Sequence, residues 1–297
     1  KHIKGNTNMK ELRILIVCAL EIETQGQLKN HEVLYTGVGK VNATFELTRK
    51  LSDTSVKQQN CFCEVTCDCQ IEPVDIIFHL ASVARIQPSF EHPIDTFSSN
   101  TTATLNVLEW ARHHETPVIY AGSSSFHHGV FDSPYAWSKY AGEQLCRLYS
   151  NVYDLPTSIC RFYNVYGEHQ LEDGAYATVV GIFEKQYREN KPLTVTGDGE
   201  QRRDFTHIDD IVDGIVRCGF NLLGDDPIAS GQAYELGRGK NYSINELTEM
   251  FGQTEVEYIP ARKGEYPFTL ADYTKANQEL GWTPTLDIKD YIKTKVK

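Results

Sequence analysis

The stretch from Ser123 to Lys139 constrains this chain more than any other. A short apolar, β-rich run, Pro117-Val118-Ile119-Tyr120, leads into it, and a helical period from Ala141 to Tyr149 follows it. Three serines, Ser123 to Ser125, stand at the end of that strand, a common place for functional loops in open α/β sheets. Ser133-Pro134 then supplies a helix start. Tyr135 and Lys139 are four apart, so on a helix both project from one face. An ammonium beside a phenol favours the phenolate and lowers the tyrosine pKa from about 10. A nearby serine hydroxyl can then share a substrate proton with that phenolate. This is acid–base chemistry at a carbinol, the half-reaction that a nicotinamide cofactor needs. A Tyr-x-x-x-Lys pair by itself is also what a solvated helix face produces, so its weight comes from its surroundings.

The surroundings carry five more patterns. Val74 to Ser82 is a buried strand ending in Phe78-His79-Leu80-Ala81-Ser82, where small residues leave the backbone open to a ligand. A strand from Pro156 enters Arg161-Phe162-Tyr163-Asn164-Val165-Tyr166-Gly167. Leu193 to Thr196 is followed by Gly197-Asp198-Gly199-Glu200-Gln201-Arg202-Arg203-Asp204-Phe205-Thr206-His207-Ile208-Asp209-Asp210. Ala261-Arg262-Lys263-Gly264-Glu265 and Leu280-Gly281-Trp282 come last. With these motifs the chain, from about Val74 to Thr285, resembles the extended short-chain dehydrogenase/reductases, specifically the NAD-dependent epimerase/dehydratase family that includes UDP-glucose 4-epimerase.

That resemblance implies roles residue by residue. Counting back five from Gly129 selects Ser124 as the proton-sharing hydroxyl, with Ser123 and Ser125 as close neighbours. Tyr135 is the implied acid–base and Lys139 the group that holds the cofactor ribose. Leu80, Ala81, Ser82, Asn100, Tyr135, Lys139 and Phe162 are implied to line NAD. Ser124, Asn164, Arg203 and Arg262 are implied to meet a nucleoside-diphosphate sugar, the arginines through forked contacts to its diphosphate. Sugar dehydratases of the family carry Asp-Glu after the catalytic hydroxyl, whereas this chain has Ser125-Phe126. Epimerisation or carbonyl reduction is therefore favoured over dehydration. His127-His128 reads as pocket lining, and the resemblance implies a homodimer.

Composition excludes other classes. The chain has 297 residues, with ample core for one large domain or two modest ones. Its net charge of −11 argues against nucleic acid or an anionic membrane as partner. No apolar run approaches the roughly 20 residues of a membrane span. The polar start, Lys1 to Asn8, is no signal peptide and reads as disordered or as a remnant ahead of a natural start at Met9. Four of the eight cysteines form Cys61-x-Cys63-x-x-x-Cys67-x-Cys69. That spacing is not the paired Cys-x-x-Cys of a zinc site, so no metal is expected and the thiols suit a reducing cytoplasm.

The beginning departs from the family. Arg13 to Val17 is a good first strand, yet no Gly-x-x-Gly-x-x-Gly follows it. Cys18-Ala19-Leu20-Glu21-Ile22-Glu23 stands there instead, with no glycine before Gly26. A second strand, Glu32 to Tyr35, runs into Gly37-Val38-Gly39-Lys40-Val41-Asn42-Ala43. One reading makes this a degenerate phosphate loop. In the other, residues 10–56 resemble the N-terminus of the nucleosidase and nucleoside phosphorylase family, with Glu23 as a base-contacting acid. Two acids where pyrophosphate should meet a helix N-terminus imply weak binding of NAD.

The expected fold is α/β, a doubly wound parallel sheet of the Rossmann type with an atypical first βαβ unit and a smaller C-terminal substrate domain. The boundaries are 1–8 outside the fold, 9–167 for dinucleotide binding (9–56 atypical) and 168–297 for substrate, partly interleaved. Helices are expected over Ile94–His113 and Gly174–Asn190, with Ser243 and Glu246 as a capping box. The expected function is NAD-dependent C4 epimerisation of a nucleotide sugar. The alternatives are a relative that binds nucleotide sugar with little activity, and a nucleosidase-like hydrolase.

Overall fold

The computed structural model describes residues 14–18, 33–35, 74–252 and 255–296, the first two stretches as backbone only. Strands β1 (Ile14–Cys18), β2 (Val33–Tyr35) and β3 (Ile76–His79) open the chain. Helices α1 (Ile86–Glu91) and α2 (Pro93–Phe97), a π turn at Ser98–Thr102, and α3 (Ala103–His113) follow. Next come β4 (Val118–Ser123), a 3₁₀ turn (Ser124–His127), α4 (Pro134–Tyr153), β5 (Thr157–Phe162) and β6 (Val165–Tyr166). The second half contains α5 (Val179–Arg188), β7 (Leu193–Thr196), β8 (Arg202–Asp204), β9 (Thr206–His207) and α6 (Ile208–Leu222). It ends with β10 (Gln232–Leu236), β11 (Asn241–Ser243), α7 (Ile244–Met250), β12 (Val256–Ile259), α8 (Thr274–Leu280) and α9 (Ile288–Lys295).

Six strands make one parallel sheet in the order β10-β5-β4-β3-β1-β2. Strands β3, β4 and β5 are buried on both faces, which is why they read as unbroken buried runs. Alternate residues serve the two faces. Ile76, Phe78, Ile119, Ala121 and Cys160 face α6, whose Ile208, Ile211, Val212, Ile215 and Leu222 recur at helical spacing. Ile77, Val118, Tyr120 and Ile159 face Val107, Leu108 and Ala111 of α3 and Cys146 and Tyr149 of α4. Helix α4 lies very close to β4, since a Cβ on Gly142 would sit 2.2 Å from the Tyr120 hydroxyl. Only glycine fits there.

The second half has its own core, with Phe183 of α5, Leu193 and Val195 of β7, and Leu247 and Phe251 around α7. Yet β10 leaves that half and pairs along β5 in the main sheet. Buried Asp204, at the end of β8, accepts backbone N–H bonds from Arg238, Gly239 and Ala271 at 2.8 to 3.0 Å. One carboxylate thereby fixes two loops of the second half.

Two helices differ from expectation. The helix expected over Gly174–Asn190 begins only at Val179, because Gly174 has φ +79° and Thr178 caps the Gly181 N–H. The Ile94–His113 helix is interrupted by the π turn, and Asn100 is its buried residue. The capping box of Ser243 and Glu246 is present with both of its bonds. The loops Leu20–Glu23 and Gly37–Ala43, and the Cys61–Cys69 cluster, lie outside the described residues.

Candidate active site

Strand β4 ends in Ser123, and the 3₁₀ turn that follows bends the serines back over the start of α4. Ser133 caps that helix by accepting from the Ala136 N–H at 3.1 Å, and Pro134 sits in its first turn. The Tyr135 phenol then donates to Ser123 Oγ at 3.4 Å, and the Tyr135 N–H donates to Ser89 Oγ of α1 at 3.2 Å. Ser123 Oγ also accepts from the Ser125 N–H and hydroxyl. The hydroxyl that meets the phenol is thus Ser123, while Ser124 lines the same cavity one residue on.

Lys139 is buried one helical turn below, its ammonium 4.2 Å from the centre of the Tyr120 ring. It has no hydrogen-bond partner among the described residues. Burial lowers its pKa to about 7, against the opposing pull of Glu143 and Cys146. Burial raises the Tyr135 phenol, which the Ser123 bond and the nearby Arg85 guanidinium pull back down. The phenol is therefore raised and not lowered as the spacing implied: burial outweighs the pull of Arg85, and Lys139 rests against the Tyr120 ring. His79 is held neutral, its pKa lowered to about 3 by burial and then by Lys139.

Beneath the site lies a buried ion pair. Arg161 of β5 donates to both oxygens of Glu143 of α4, at 2.9 to 3.3 Å, and its guanidinium covers the Phe126 ring at 3.4 Å. Arg161 also comes within 3.8 Å of Glu235 on β10, which bonds His127 and the Tyr163 hydroxyl. Glu143 stands four residues after Lys139, a spacing that could have flagged it. Its partner eighteen positions on could not be read.

Three observations fit the residues to a dinucleotide. Ser82 Oγ and His79 Nδ1, at the carboxyl edge of β3, are buried and have no partner among the described residues. Leu80 and Ala81 beside them are buried and leave no polar side chain in the way, and Phe162 closes the end of β5. The Lys139 ammonium is buried, with no hydrogen-bond partner among the described residues. Asn100 is placed differently: its amide accepts from the Val83 N–H at 2.7 Å and donates to Val83 O and Ser138 Oγ. It ties the β3 loop to α4 and has no spare hydrogen for a ligand.

The site opens into a cavity of about 760 Å³ between the halves, lined by Arg85, Ser124, Tyr135, Asn164, Arg203 and Arg262 among others. Asn164 donates to Asp204 O and Thr269 Oγ1, so its amide hydrogens are used within the fold. Arg203 Nη1 is bound to the carbonyls of Arg202 and Tyr266. Arg262 lies in an exposed segment that spans the cavity mouth. There Gln87 of α1 donates to Lys263 O at 2.6 Å, and the Tyr266 hydroxyl donates to Gly129 O at 3.3 Å. Sequence reasoning missed Arg85, whose Nε and Nη2 both donate to Tyr176 O, ninety-one positions away.

A parallel sheet with a phenol and a buried ammonium at its carboxyl edge is the architecture of enzymes that exchange hydride with a nicotinamide. The chain belongs to the NAD dependent epimerase/dehydratase family, whose sequence profile matches residues 27–226. It is 35% identical over 242 residues to UDP-glucuronate 4-epimerase of Thermodesulfobacterium geofontis, covering 75% of this chain and 72% of the relative. It is 32% identical over 238 residues to UDP-glucose 4-epimerase of Mycolicibacterium smegmatis, covering 73% and 74%. The fold superposes with a TM-score of 0.76 on UDP-glucuronic acid 4-epimerase from Bacillus cereus in complex with UDP-glucuronic acid and NAD. That match covers 95% of this chain and 97% of the other at 25% identity. The resemblance of residues 10–56 to nucleosidases is not borne out, since the epimerase profile already matches from residue 27.

Proposed function

We propose that this protein interconverts C4 epimers of a nucleoside-diphosphate sugar, most naturally a UDP-sugar, with NAD as its cofactor. The observation that carries the reading is the Tyr135–Ser123 contact at the wall of a cavity that Arg203 and Arg262 also line. NAD, when bound, supplies the acceptor and then the donor of a hydride. Ser82, Leu80, Ala81, Lys139 and Phe162 would hold it. Tyr135 takes the proton of the sugar hydroxyl, with Ser123 or Ser124 bonding that oxygen, and returns it after the keto sugar has turned over. Arg203 and Arg262 anchor the diphosphate while the sugar rotates. Ser125 and Phe126 supply no carboxylate for loss of water, which favours epimerisation over dehydration.

The homodimer belongs to the same reading. It is supported by Leu105 of α3 and Leu148, Val152 and Tyr153 of α4, which are exposed apolar residues on two neighbouring helices. Light scattering of purified protein tests it, and a monomer at micromolar concentration excludes it.

The test of function is direct. Protein is incubated with NAD and UDP-glucose or UDP-glucuronate, and the epimers are separated. Tyr135→Phe should lower turnover by at least about 10²-fold while UDP binding persists. Near-wild-type turnover in that variant removes Tyr135 from the mechanism. UDP binding without turnover in the wild type favours the alternative of a sugar-nucleotide binder with little activity.

A further inference from the structure

Glu235 holds two walls of the cavity from outside it. On β10 it stands opposite Arg161 of β5, and its neighbours Tyr234 and Leu236 face the α6 core, so its side chain emerges on the α4 side of the sheet. Its carboxylate accepts from the His127 ring, from the Tyr163 hydroxyl at 2.7 Å and from the Asp272 N–H at 2.8 Å. Arg161 lies 3.8 Å away and already donates to both oxygens of Glu143. Burial opposes the charged carboxylate, and the bonds from His127, the Asp272 N–H and Tyr163 outweigh it, leaving the pKa below its ordinary value.

Two of these donors belong to segments that line the cavity. His127 ends the 3₁₀ turn that carries Ser124 and Ser125, and Tyr163 stands between Phe162 and Asn164. Strands β4 and β5 pair only as far as Ser123 and Phe162, and beyond that pair Glu235 bonds to both segments. The His128 N–H donates to Ser125 O at 3.1 Å, so a shift of His127 is passed on to the serines. Neither His127 nor Glu235 lines the cavity itself. Resting on the epimerase reading, we infer that Glu235 is a positioning residue: acting through His127 and Tyr163, it sets the gap between the serine hydroxyls that meet the sugar oxygen and the wall at Phe162 that would hold NAD. Hydride passes only between closely aligned carbons, so a small shift of either wall costs rate more than binding.

The experiment takes Glu235→Gln, His127→Leu and the double variant, with UDP-glucose or UDP-glucuronate as the wild type accepts. Each single variant should lower kcat by about ten- to a hundredfold, with KM and calorimetric UDP affinity unchanged. Each should also enlarge the isotope effect on kcat for sugar deuterated at C4, since hydride transfer is the step slowed. The double variant should lose clearly less than the product of the two losses, because one residue acts through the other. His127→Gln keeps a side-chain N–H and should recover part of the rate. In protein without NAD, amide exchange at residues 125–128 should quicken in both single variants and stay unchanged in β3 and β4. Unchanged kcat, fully multiplicative losses, or faster exchange throughout the chain overturns the assignment, the last because Glu235 would then serve stability alone. A wild type that turns over no nucleotide sugar refutes the epimerase reading and this role with it, a result distinct from the other three because it needs no variant.

Discussion

The Tyr135 phenol donates to Ser123 across 3.4 Å, one residue ahead of the serine that the family's motif spacing selects. Ser123 also accepts two bonds from Ser125, so it is held in place, whereas Ser124 stands half-exposed on the cavity wall. Ser123→Ala is expected to lower kcat by about 10²-fold, and Ser124→Ala by clearly less. Steady-state kinetics of the two variants decide between them, and the reverse order returns the role to Ser124.

Glu143 and Arg161 form a pair that is costly to break singly. Each is buried, and each leaves the other's charge without its main partner when removed. Glu143→Leu should cost about 3–5 kcal/mol in urea unfolding, and adding Arg161→Met should recover part of that loss. A double variant less stable than Glu143→Leu would show that Arg161 is held chiefly by Glu235.

Lys139 gives a pH signature. Its pKa is about 7 in the folded protein, against 10.5 for a lysine in water, so the unfolded chain binds more protons between those values. The contribution to stability is full above the unfolded value and is lost as pH falls through about 7. Melting of the protein without added NAD should show this rise from pH 7 upward, and Lys139→Met should flatten it. An identical pH slope in Lys139→Met would assign the effect to another group.

Leu20, Glu21, Ile22 and Glu23 stand where relatives place glycines after the first strand, and two carboxylates repel a pyrophosphate. Protein after gel filtration is expected to release no stoichiometric dinucleotide on denaturation. Finding one NAD per chain would mean that another loop, foremost Gly37–Ala43, holds the phosphates.

What can be read in advance follows from local rules. Tyr135 and Lys139 share a helix face through spacing, Ser243 and Glu246 pair through the capping pattern, and the buried strands show as unbroken apolar runs. Arg85 escapes because its position depends on Tyr176, and Glu143 because its partner sits on a neighbouring strand. The phenol's electrostatics are hidden for the same reason: spacing puts Lys139 on the correct face, but burial and the Tyr120 ring decide where its ammonium rests. The start of α5 falls too early in the sequence pattern because Gly174 lies within an otherwise periodic run, and its φ of +79° is not written in that period.

The return of β10 to the main sheet has a consequence for anyone dissecting the molecule. Cutting after Gly167 separates two pieces of sequence, yet the first would carry residues 158–162 as a bare edge, stripped of its pairing with Gln232–Leu236. Such an edge invites aggregation. It would also lack Glu235, which reaches under the active-site turn to His127 and Tyr163. The chain is therefore a poor subject for expression as isolated halves and a natural one for fragment complementation, in which the second piece restores the first by adding a strand.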